Sequence, residues 1–466
     1  MASTIDKEWE NIKIAIEKAA NEAIGTKKKY RRKKGLRIWI EEIKNAIENK
    51  QTPYQKYLQS PSEENFETHK IKRNITKTIV SKAHKESWDR FISGIETDIF
   101  GEKSMAYKVL KHLNRTNKDT IEINNTEDQK WTKHYKNLRC MNSPQNGNDE
   151  LETATTPSAG IDEISDEELE QSLKSMKNRR AAGADGLNSE LFKYGGPVLS
   201  NRRLLEFINK CWKERSIPEE WRQARVKSLF KIGKRNDSSN YRGISLLNNG
   251  YKIYAKIITQ RFKTILEATL LEEQNGFRTG RSRIDNIFTI KQTIEKRRKF
   301  NLDTYIAFLD LEKAFGTVNR KQLWQILNKR GMPCHLIEVI KSSYKNASVQ
   351  IDTGRKILDK IYISQGERPG CNLSPALFNI YIDDLLRNLK HKADTGTMLK
   401  RNLYLNTLLF ADDQVVIQDS ENKLQKSVYI LNQISKDYNL KISTDKTKIM
   451  AFKGKHLVRS KIEIDG

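Results

Sequence analysis

The chain has 466 residues, and its 85 Lys and Arg against 59 Asp and Glu give a formal net charge of +26 at pH 7. A surplus of this size indicates a polyanionic partner such as nucleic acid, because net charge governs binding and solubility rather than fold. Disorder throughout is excluded, since 37% of the residues are hydrophobic, and a membrane span is excluded because no stretch approaches the roughly 18 apolar residues required.

The cysteines and the first residues bear on the compartment. The four cysteines are scattered and form no C-x-x-C pair, so neither a zinc finger nor a disulfide framework is indicated. The opening stretch, MASTIDKEWENIK, lacks the apolar region of a signal peptide. We therefore expect an intracellular, reducing compartment, with nucleus and cytoplasm both open.

Residues 1–140 are predicted to form a basic, α-helical N-terminal extension. One helix is expected to begin at Ser60-Pro61, because Ser favours the N-cap and Pro the first helical position. Apolar residues then recur at helical spacing, namely Ile71, Ile75, Ile79, Trp88, Phe91 and Ile95.

A dense run of cations, KKKYRRKK, lies within this extension. The cations are Lys27, Lys28, Lys29, Arg31, Arg32, Lys33 and Lys34. The run is either a solvated charge cluster or a segment that contacts phosphates or directs nuclear import.

Residues 141–165 are predicted to be a linker, because they are polar and lose the helical periodicity. Beyond them strands and helices alternate, which indicates an α+β body. The stretch 226–247 reads as a basic hairpin that carries Lys231, Lys234, Arg235 and Arg242. Such cations could bind a triphosphate, although exposed hairpins are often basic for solubility alone.

Two apolar stretches end in carboxylates. The first, TYIAFLDLEKAF at 304–315, is a strand that ends in Asp310, followed by a helix for which Gly331 is the stop signal. The second, LYLNTLLFADDQVVIQD at 403–419, is predicted to be a β-hairpin with Asp412 and Asp413 at its tip. Singly, Asp310 could cap a helix and the Asp pair could be an ordinary turn.

Together, three carboxylates at strand ends would repel one another unless cations lay between them. Two Mg²⁺ ions held by such oxygens clamp the attacking and leaving oxygens in phosphoryl transfer. In a basic chain this arrangement suggests a nucleotidyl transferase.

Between the two carboxylate stretches lies a Gly-rich loop that leads into a helix at Ser374-Pro375. Ser as N-cap and Pro at the first helical position explain the helix start without any function. Gly366 and Gly370, however, allow the backbone to approach a ligand closely, such as a base pair or a phosphate.

The order of these elements resembles the reverse transcriptase of non-LTR (LINE-type) retrotransposons. The motifs that carry the resemblance are AAGADGLNSELFK (181–193), NYRGISLLN (240–248), QNGFRTGRS (274–282), FLDLEKAF (308–315), GCNLSPALFNIYIDDLL (370–386), FADD (410–413) and STDKTKIMAFKG (443–454). Seven motifs in family order make a specific match, whereas FADD alone would be weak.

The resemblance implies the fingers and palm of a right-hand polymerase, with fingers at 166–300 and palm at 301–466. It implies that Asp310, Asp412 and Asp413 are the palm carboxylates, that Asp310 and Asp412 bind Mg²⁺, and that Mn²⁺ can replace it. The implied nucleotide contacts are Lys231, Arg242, Phe315, Gly370 and Lys446, with Phe315 excluding a ribose 2′-hydroxyl and Ser374-Pro375 lying under the incoming base pair. The implied partners are an RNA template, contacted by the basic N-terminal helices, a DNA primer and dNTPs, with no membrane; the oligomeric state is open.

Three positions depart from the family pattern. Gly316 stands where Asp is usual, Pro369 replaces the Gln that contacts the nucleotide, and Ala184 replaces a Pro. The chain is also expected to lack the thumb and the upstream endonuclease. Two functions therefore remain open: an RNA-directed DNA polymerase domain, impaired or not, and a catalytically inactive nucleic-acid-binding remnant.

Overall fold

The protein is described here from a computed structural model. The described residues are 4–25, 41–97, 126–139, 162–196, 198–231, 237–353, 356–393, 396–401, 403–452 and 462–464. They form two compact units, a larger one comprising Met1–Gly25 with Ile123–Gly466 and a smaller one comprising Thr26–Glu122. This division differs from the predicted extension 1–140, because the first helix and residues 126–139 pack in the larger unit.

The smaller unit contains a pair of helices, α2 (Glu41–Gln59) and α3 (Glu63–Thr97). Thr76 and Ala83 of α3 are buried, and the Thr76 hydroxyl donates to the Ala46 carbonyl of α2 at 2.9 Å. Ile71 and Ile75, predicted to lie on the apolar face of the helix, are exposed instead.

The start of α3 also differs from the prediction. The helix begins at Glu63, and Ser62 Oγ accepts a hydrogen bond from the Asn65 amide at 3.2 Å. Ser62 therefore acts as the cap in place of Ser60. The side chains of Trp88, Phe91 and Ile95 lie outside the described part of the chain.

Helix α1 (Thr4–Ala23) belongs to the larger unit through Trp9, which is almost fully buried. The indole packs against Phe207 and Trp221, with ring centroids 5.6 and 4.9 Å away, and its Nε1 donates to Glu220 at 2.8 Å. Gly250 leaves room for it, because a Cβ there would lie 2.5 Å from the ring. Burial of an aromatic side chain this large fixes the helix to the core.

Eleven further α-helices of the larger unit follow among the described residues. They are α4 (Thr126–Arg139), α5 (Asp166–Lys174), α6 (Ser189–Lys193), α7 (Leu205–Lys213), α8 (Asn249–Glu267), α9 (Arg283–Lys299), α10 (Ala314–Thr317), α11 (Arg320–Lys329), α12 (Cys334–Tyr344), α13 (Ser374–Lys392) and α14 (Glu421–Asp437). A π-helix precedes α7 at Val198–Leu204, and 3-10 turns lie at Glu219–Arg222 and Ser238–Asn240. None of the described helices is both long and apolar enough to cross a membrane.

Two four-stranded sheets organise the larger unit, which confirms the α+β class. The first has the order β2-β1-β4-β5, with β1 (Gln223–Phe230), β2 (Tyr241–Leu247), β4 (Ser348–Asp352) and β5 (Ile361–Tyr362). The second has the order β10-β3-β9-β8, with β3 (Thr304–Leu309), β8 (Thr407–Phe410), β9 (Asp413–Gln418) and β10 (Lys448–Phe452). A separate ribbon pairs β6 (Thr397–Lys400) with β7 (Leu403–Leu405).

The second sheet is antiparallel throughout, and its register positions the carboxylates. Ile306 and Ala307 of β3 are fully buried, so this strand is a central element of the core. Leu309, the last residue of β3, pairs with Gln414 of β9. Asp310, which follows β3, and Asp413, the first residue of β9, therefore come opposite one another at the end of the sheet.

Candidate active site

Asp310 lies directly after β3, half-buried, as predicted. Its Oδ2 accepts a hydrogen bond from Lys446 Nζ at 2.6 Å, and its carbonyl accepts one from the Ser443 amide at 2.8 Å. The side chain does not cap the next long helix, α11, since Asn319 caps it by accepting from the Gln322 amide. The carboxylate therefore faces the segment before β10.

Asp412 and Asp413 lie at the tip of the β8–β9 hairpin, as predicted. Phe410 pairs with Asp413, so Ala411 and Asp412 form a two-residue turn. The φ angle of Ala411 is 61°, in the left-handed region. Asp412 is half-buried and Asp413 exposed.

The charges of these carboxylates interact. The pKa of Asp412 is raised above its ordinary value, first by burial and then by the nearby charges of Asp413 and Asp310, while Lys446 opposes the rise. The hydrogen bond to Asp310 in turn raises the pKa of Lys446. Asp310 and Asp413 thus lie close enough to Asp412 for their charges to act on it, and Lys446 is the cation that acts against them.

This arrangement suits a hard cation whose coordination is completed by substrate. In the described part of the chain, no three His, Cys, Asp or Glu side chains form a metal site by themselves. Mg²⁺, however, is usually bound through one or two carboxylates plus water and substrate phosphates. The oxygen donors of Asp310 and Asp412 fit such an ion, as do the burial and the neighbouring carboxylate charges that raise the pKa of Asp412.

Phe315 is held rigidly beside this site. Its ring stacks on Phe378 of α13, with centroids 4.3 Å apart and an interplanar angle of 24°. Phe277 meets it edge-on at 6.3 Å. Phe277 is 45% exposed and has a φ of 57°, which is unusual for a bulky residue. Phe277 belongs to the QNGFRTGRS motif, and nothing in that motif predicts its contact with Phe315.

The glycines of the loop before α13 approach protein backbone. Gly366 has a φ of 74°, and a Cβ there would lie 2.4 Å from the Gly316 carbonyl oxygen. Gly370 has a φ of 80°, and a Cβ there would lie 2.8 Å from the Ser245 carbonyl oxygen of β2. The close approach that these glycines permit therefore joins the loop to the turn after β3 and to the basic hairpin.

Ser374 is the first residue of α13, and Leu373, not Ser374, is the N-cap. The Ser374 hydroxyl instead donates to the Arg368 carbonyl at 2.7 Å. Arg368 itself is buried and donates to the carbonyls of Ser343 and Trp221 at 2.9 and 2.7 Å. Arg368 therefore anchors the loop before α13 through its guanidinium, which binds two carbonyls outside the loop, and through its own carbonyl, which accepts from Ser374.

A second Asp pair, Asp383-Asp384, lies on α13 and has a structural environment. Asp383 is fully buried and accepts from Arg330 at 2.7 Å and from Arg387 at 2.9 Å. Asp384 accepts from the Tyr438 hydroxyl at 2.6 Å. These arginine contacts distinguish the pair from the FADD carboxylates.

The basic hairpin forms as predicted, from β1 and β2. Lys231, just after β1, and Arg242, opposite Leu229, are both exposed. The Lys231 amide donates to the Asn240 carbonyl at 2.9 Å, which closes the base of the loop. Lys234 and Arg235, like the cations at 27–34, fall outside the described residues.

Comparison with known proteins supplies the family. Residues 232–461 match the family described as "Reverse transcriptase (RNA-dependent DNA polymerase)". The chain is 28% identical over 262 residues to the "Transposon TX1 uncharacterized 149 kDa protein" of Xenopus laevis, covering 56% of this chain and 20% of that protein. It is 26% identical over 330 residues to the "Probable RNA-directed DNA polymerase from transposon BS" of Drosophila melanogaster, covering 68% of this chain and 35% of that protein.

Among solved structures, apo telomerase of Candida tropicalis, truncated from its C-terminal domain, is similar with a TM-score of 0.39 and 16% identity. That similarity covers 50% of this chain and 51% of the telomerase chain. Of the two transposon proteins, the match covers about a fifth of the Xenopus protein and about a third of the Drosophila protein. Residues 232–461, the segment that carries the carboxylates, match the reverse transcriptase family, and the two relatives that resemble the chain are transposon proteins.

Proposed function

We propose that this domain is an RNA-directed DNA polymerase that extends a primer 3′-hydroxyl with dNTPs at the Asp310–Asp412 site. The observation that carries the proposal is the convergence of Asp310, Asp412 and Asp413 at one end of the sheet, where the register of β3, β8 and β9 brings them together. Burial first, and then the charges of Asp413 and Asp310, raise the pKa of Asp412 there. Reverse transcriptases generally use divalent metal ions, and the carboxylate oxygens of this region are the kind of ligand that such ions prefer.

Asp310 and Asp412 would hold two Mg²⁺ ions, or Mn²⁺ in their place, with Asp413 as the third carboxylate. When bound, such ions polarise the primer hydroxyl and the phosphate and stabilise the charge of the displacement. The protein contributes position: β3 and the β8–β9 hairpin fix the two carboxylates, and Lys446 lies beside Asp310 at 2.6 Å. Placement matters because shifts of about 1 Å can reduce rates about 100-fold.

The nucleotide would lie between the palm and the basic hairpin. The exposed cations Lys231 and Arg242 can contact its triphosphate, and Lys446 its leaving pyrophosphate. Phe315, stacked on Phe378, presents a rigid wall to the 2′ position of the sugar. Gly370 links the loop under the base pair to β2.

The remaining assignments concern nucleic acid and domain limits. We propose that the fingers comprise residues 166–300 and the palm residues 301–466. The cations of 27–34 and the helices of the first 140 residues are proposed to contact the RNA template, as the net charge of +26 favours.

The test is primer extension on an RNA template with a DNA primer in Mg²⁺. The parent should extend the primer, and Asp412→Asn should not, while its RNA affinity stays the same. Asp445→Asn, which changes an exposed Asp beside Lys446, is the matched control and should extend like the parent. Extension that survives in Asp412→Asn contradicts the proposal, and parent protein that binds RNA without extending the primer is the inactive alternative.

A further inference from the structure

Glu273 and the first three residues of the QNGF motif, Gln274 to Gly276, run alongside β8 as a short added strand. Gln274 forms a parallel bridge with Leu409. The Asn275 amide donates to the Leu409 carbonyl at 3.0 Å, and the Leu409 amide donates to the Glu273 carbonyl at 2.9 Å. These bonds connect the segment to the strand that leads directly into the FADD turn.

The Gln274 side chain reaches from this segment to the turn itself. It is fully buried, and its Oε1 accepts from the Gly276 amide at 2.8 Å and from the Ala411 amide at 3.2 Å. Gly276 lies against the same residue, since a Cβ there would come within 2.3 Å of the Ala411 nitrogen. Ala411 therefore contacts both the Gln274 side chain and the Gly276 backbone.

Ala411 needs such support. Its φ of 61° is a conformation that L-residues with a side chain disfavour, and hairpin turns with a positive φ at their first position usually use Gly. Ala411 immediately precedes Asp412, so its conformation sets the direction in which that carboxylate leaves the turn.

Two buried asparagines hold the segment in place. Asn286 of α9 accepts a hydrogen bond from the Asn275 side chain and donates to the Leu409 carbonyl of β8 at 2.9 Å, while Asn379 of α13 donates to the Gly276 carbonyl at 2.8 Å. Among the described residues, the side chain that binds the Ala411 amide is that of Gln274.

We propose that Gln274 is a positioning residue for Asp412. By accepting a hydrogen bond from the Ala411 amide, it keeps Ala411 in its left-handed conformation and holds the Asp412 carboxylate in place for a divalent cation. This inference rests on the proposed function of the Asp310–Asp412 site. It assigns to the QNGF motif a role in metal affinity, distinct from any contact of that motif with nucleic acid.

The test measures Mn²⁺ binding by electron paramagnetic resonance, with primer extension as a second readout. Gln274→Met keeps the length of the side chain and removes the acceptor, and it should weaken Mn²⁺ binding at least about tenfold, as loss of a group that orients a metal ligand does. In extension it should lower kcat with the dNTP KM changed less than about twofold. Gln418→Met is the matched control, because Gln418 is a buried amide at the far end of β9 that donates to Ser427.

A rescue separates positioning from general stability. Gly adopts a positive φ without strain, so Ala411→Gly added to Gln274→Met should restore most of the lost Mn²⁺ affinity. If Gln274→Met does not fold, Gln274→Glu, which keeps an oxygen at Oε1, should bind Mn²⁺ more tightly than Gln274→Asn, which is too short to reach the turn.

The outcomes are distinct. Mn²⁺ affinity equal to that of the parent in folded Gln274→Met, or equal loss in Gln418→Met, overturns the positioning role. Parent protein that binds Mn²⁺ through Asp412 but extends no primer contradicts the proposed function while the positioning role stands. Parent protein whose Mn²⁺ binding is unaffected by Asp412→Asn overturns both.

Discussion

The Lys446 amine lies 2.6 Å from Oδ2 of Asp310, at the edge of the three carboxylates. The hydrogen bond raises the pKa of Lys446, and the same ammonium charge opposes the rise in the pKa of Asp412. One lysine therefore compensates charge on both proposed metal ligands. A divalent cation that binds there has to compete with it.

Replacing this lysine should separate metal binding from chemistry. Lys446→Met is expected to tighten Mn²⁺ binding, by no more than about fivefold because exposed ion pairs contribute only about 0.2–1 kcal/mol, while lowering the extension rate. Lys448→Met is the control, since Lys448 donates only to the Asp445 carbonyl in the described contacts. Weaker Mn²⁺ binding in Lys446→Met would contradict the competition.

Substitution of Phe315 should relax the choice of sugar. The ring is fixed by Phe378, so Phe315→Val opens space where a 2′-hydroxyl would come, and the ratio of NTP to dNTP incorporation should rise at least about tenfold. Single-nucleotide incorporation with matched dNTP and NTP measures the ratio. Phe452→Val, a half-buried change at the end of β10, should leave the ratio unchanged, and an unchanged ratio in Phe315→Val would refute the assignment.

Helix α1 should contribute strongly to the stability of the larger unit. Trp9→Ala removes an indole packed on Phe207 and Trp221, together with its hydrogen bond to Glu220, and should lower the free energy of unfolding by about 3–5 kcal/mol. Ile14→Ala on the same helix changes a side chain that is 53% exposed and should cost less than about 0.5 kcal/mol. Urea denaturation measures both, and equal effects would contradict the packing.

Asp185 should give the stability a defined pH dependence. Burial, and then the charge of Glu220, raise its pKa from 3.8 to about 6. Above that pH the folded protein holds a charged carboxylate that is less favourable than in the unfolded chain, whereas at low pH both states are protonated. Asp185→Asn, which keeps the acceptor for the Leu187 amide, should therefore be more stable than the parent at about pH 8, by at most about 3 kcal/mol.

The advantage of Asp185→Asn should shrink as the pH falls through about 6 toward about 4. Thermal unfolding of both proteins across this range measures it. A difference in stability that is the same at every pH would show that the charge of Asp185 is not its cause.

The carboxylates were predictable from sequence because their signals are local. Asp310 ends one apolar strand, and two apolar strands flank Asp412. In each case a stretch of about a dozen residues predicts both the strands and the position of the acidic residue. The family resemblance then supplied their grouping, which a single stretch of sequence does not contain.

Gln274 and Trp9 were not predictable in this way. Gln274 contacts a turn 137 residues away in the chain, and Trp9 bonds to Glu220 at a separation of 211 residues. Contacts at such separations depend on how strands and helices are arranged, and neither residue type signals them. A glutamine and a tryptophan each occur in many environments, so neither residue type by itself predicts its partner.

The apolar face of α3 was predicted wrongly for a different reason. Ile71 and Ile75 are exposed, whereas Ile79 of the same predicted stripe packs with Ala83 against Ile43 of α2. Thr76 is buried beside this cluster, so the face that packs on α2 is rotated from the predicted one and shares Ile79 with it.

The shared metal site of Asp310 and Asp412 can be tested most directly by iron-mediated cleavage of the protein. Fe²⁺ bound in place of Mg²⁺, with ascorbate and peroxide, cuts the backbone beside its ligands. We expect cuts near both residue 310 and residues 411–413 in the parent, suppressed by excess Mg²⁺ and absent in Asp412→Asn. Cleavage at only one of these places, or at both in Asp412→Asn, would contradict a site formed by the two carboxylates together.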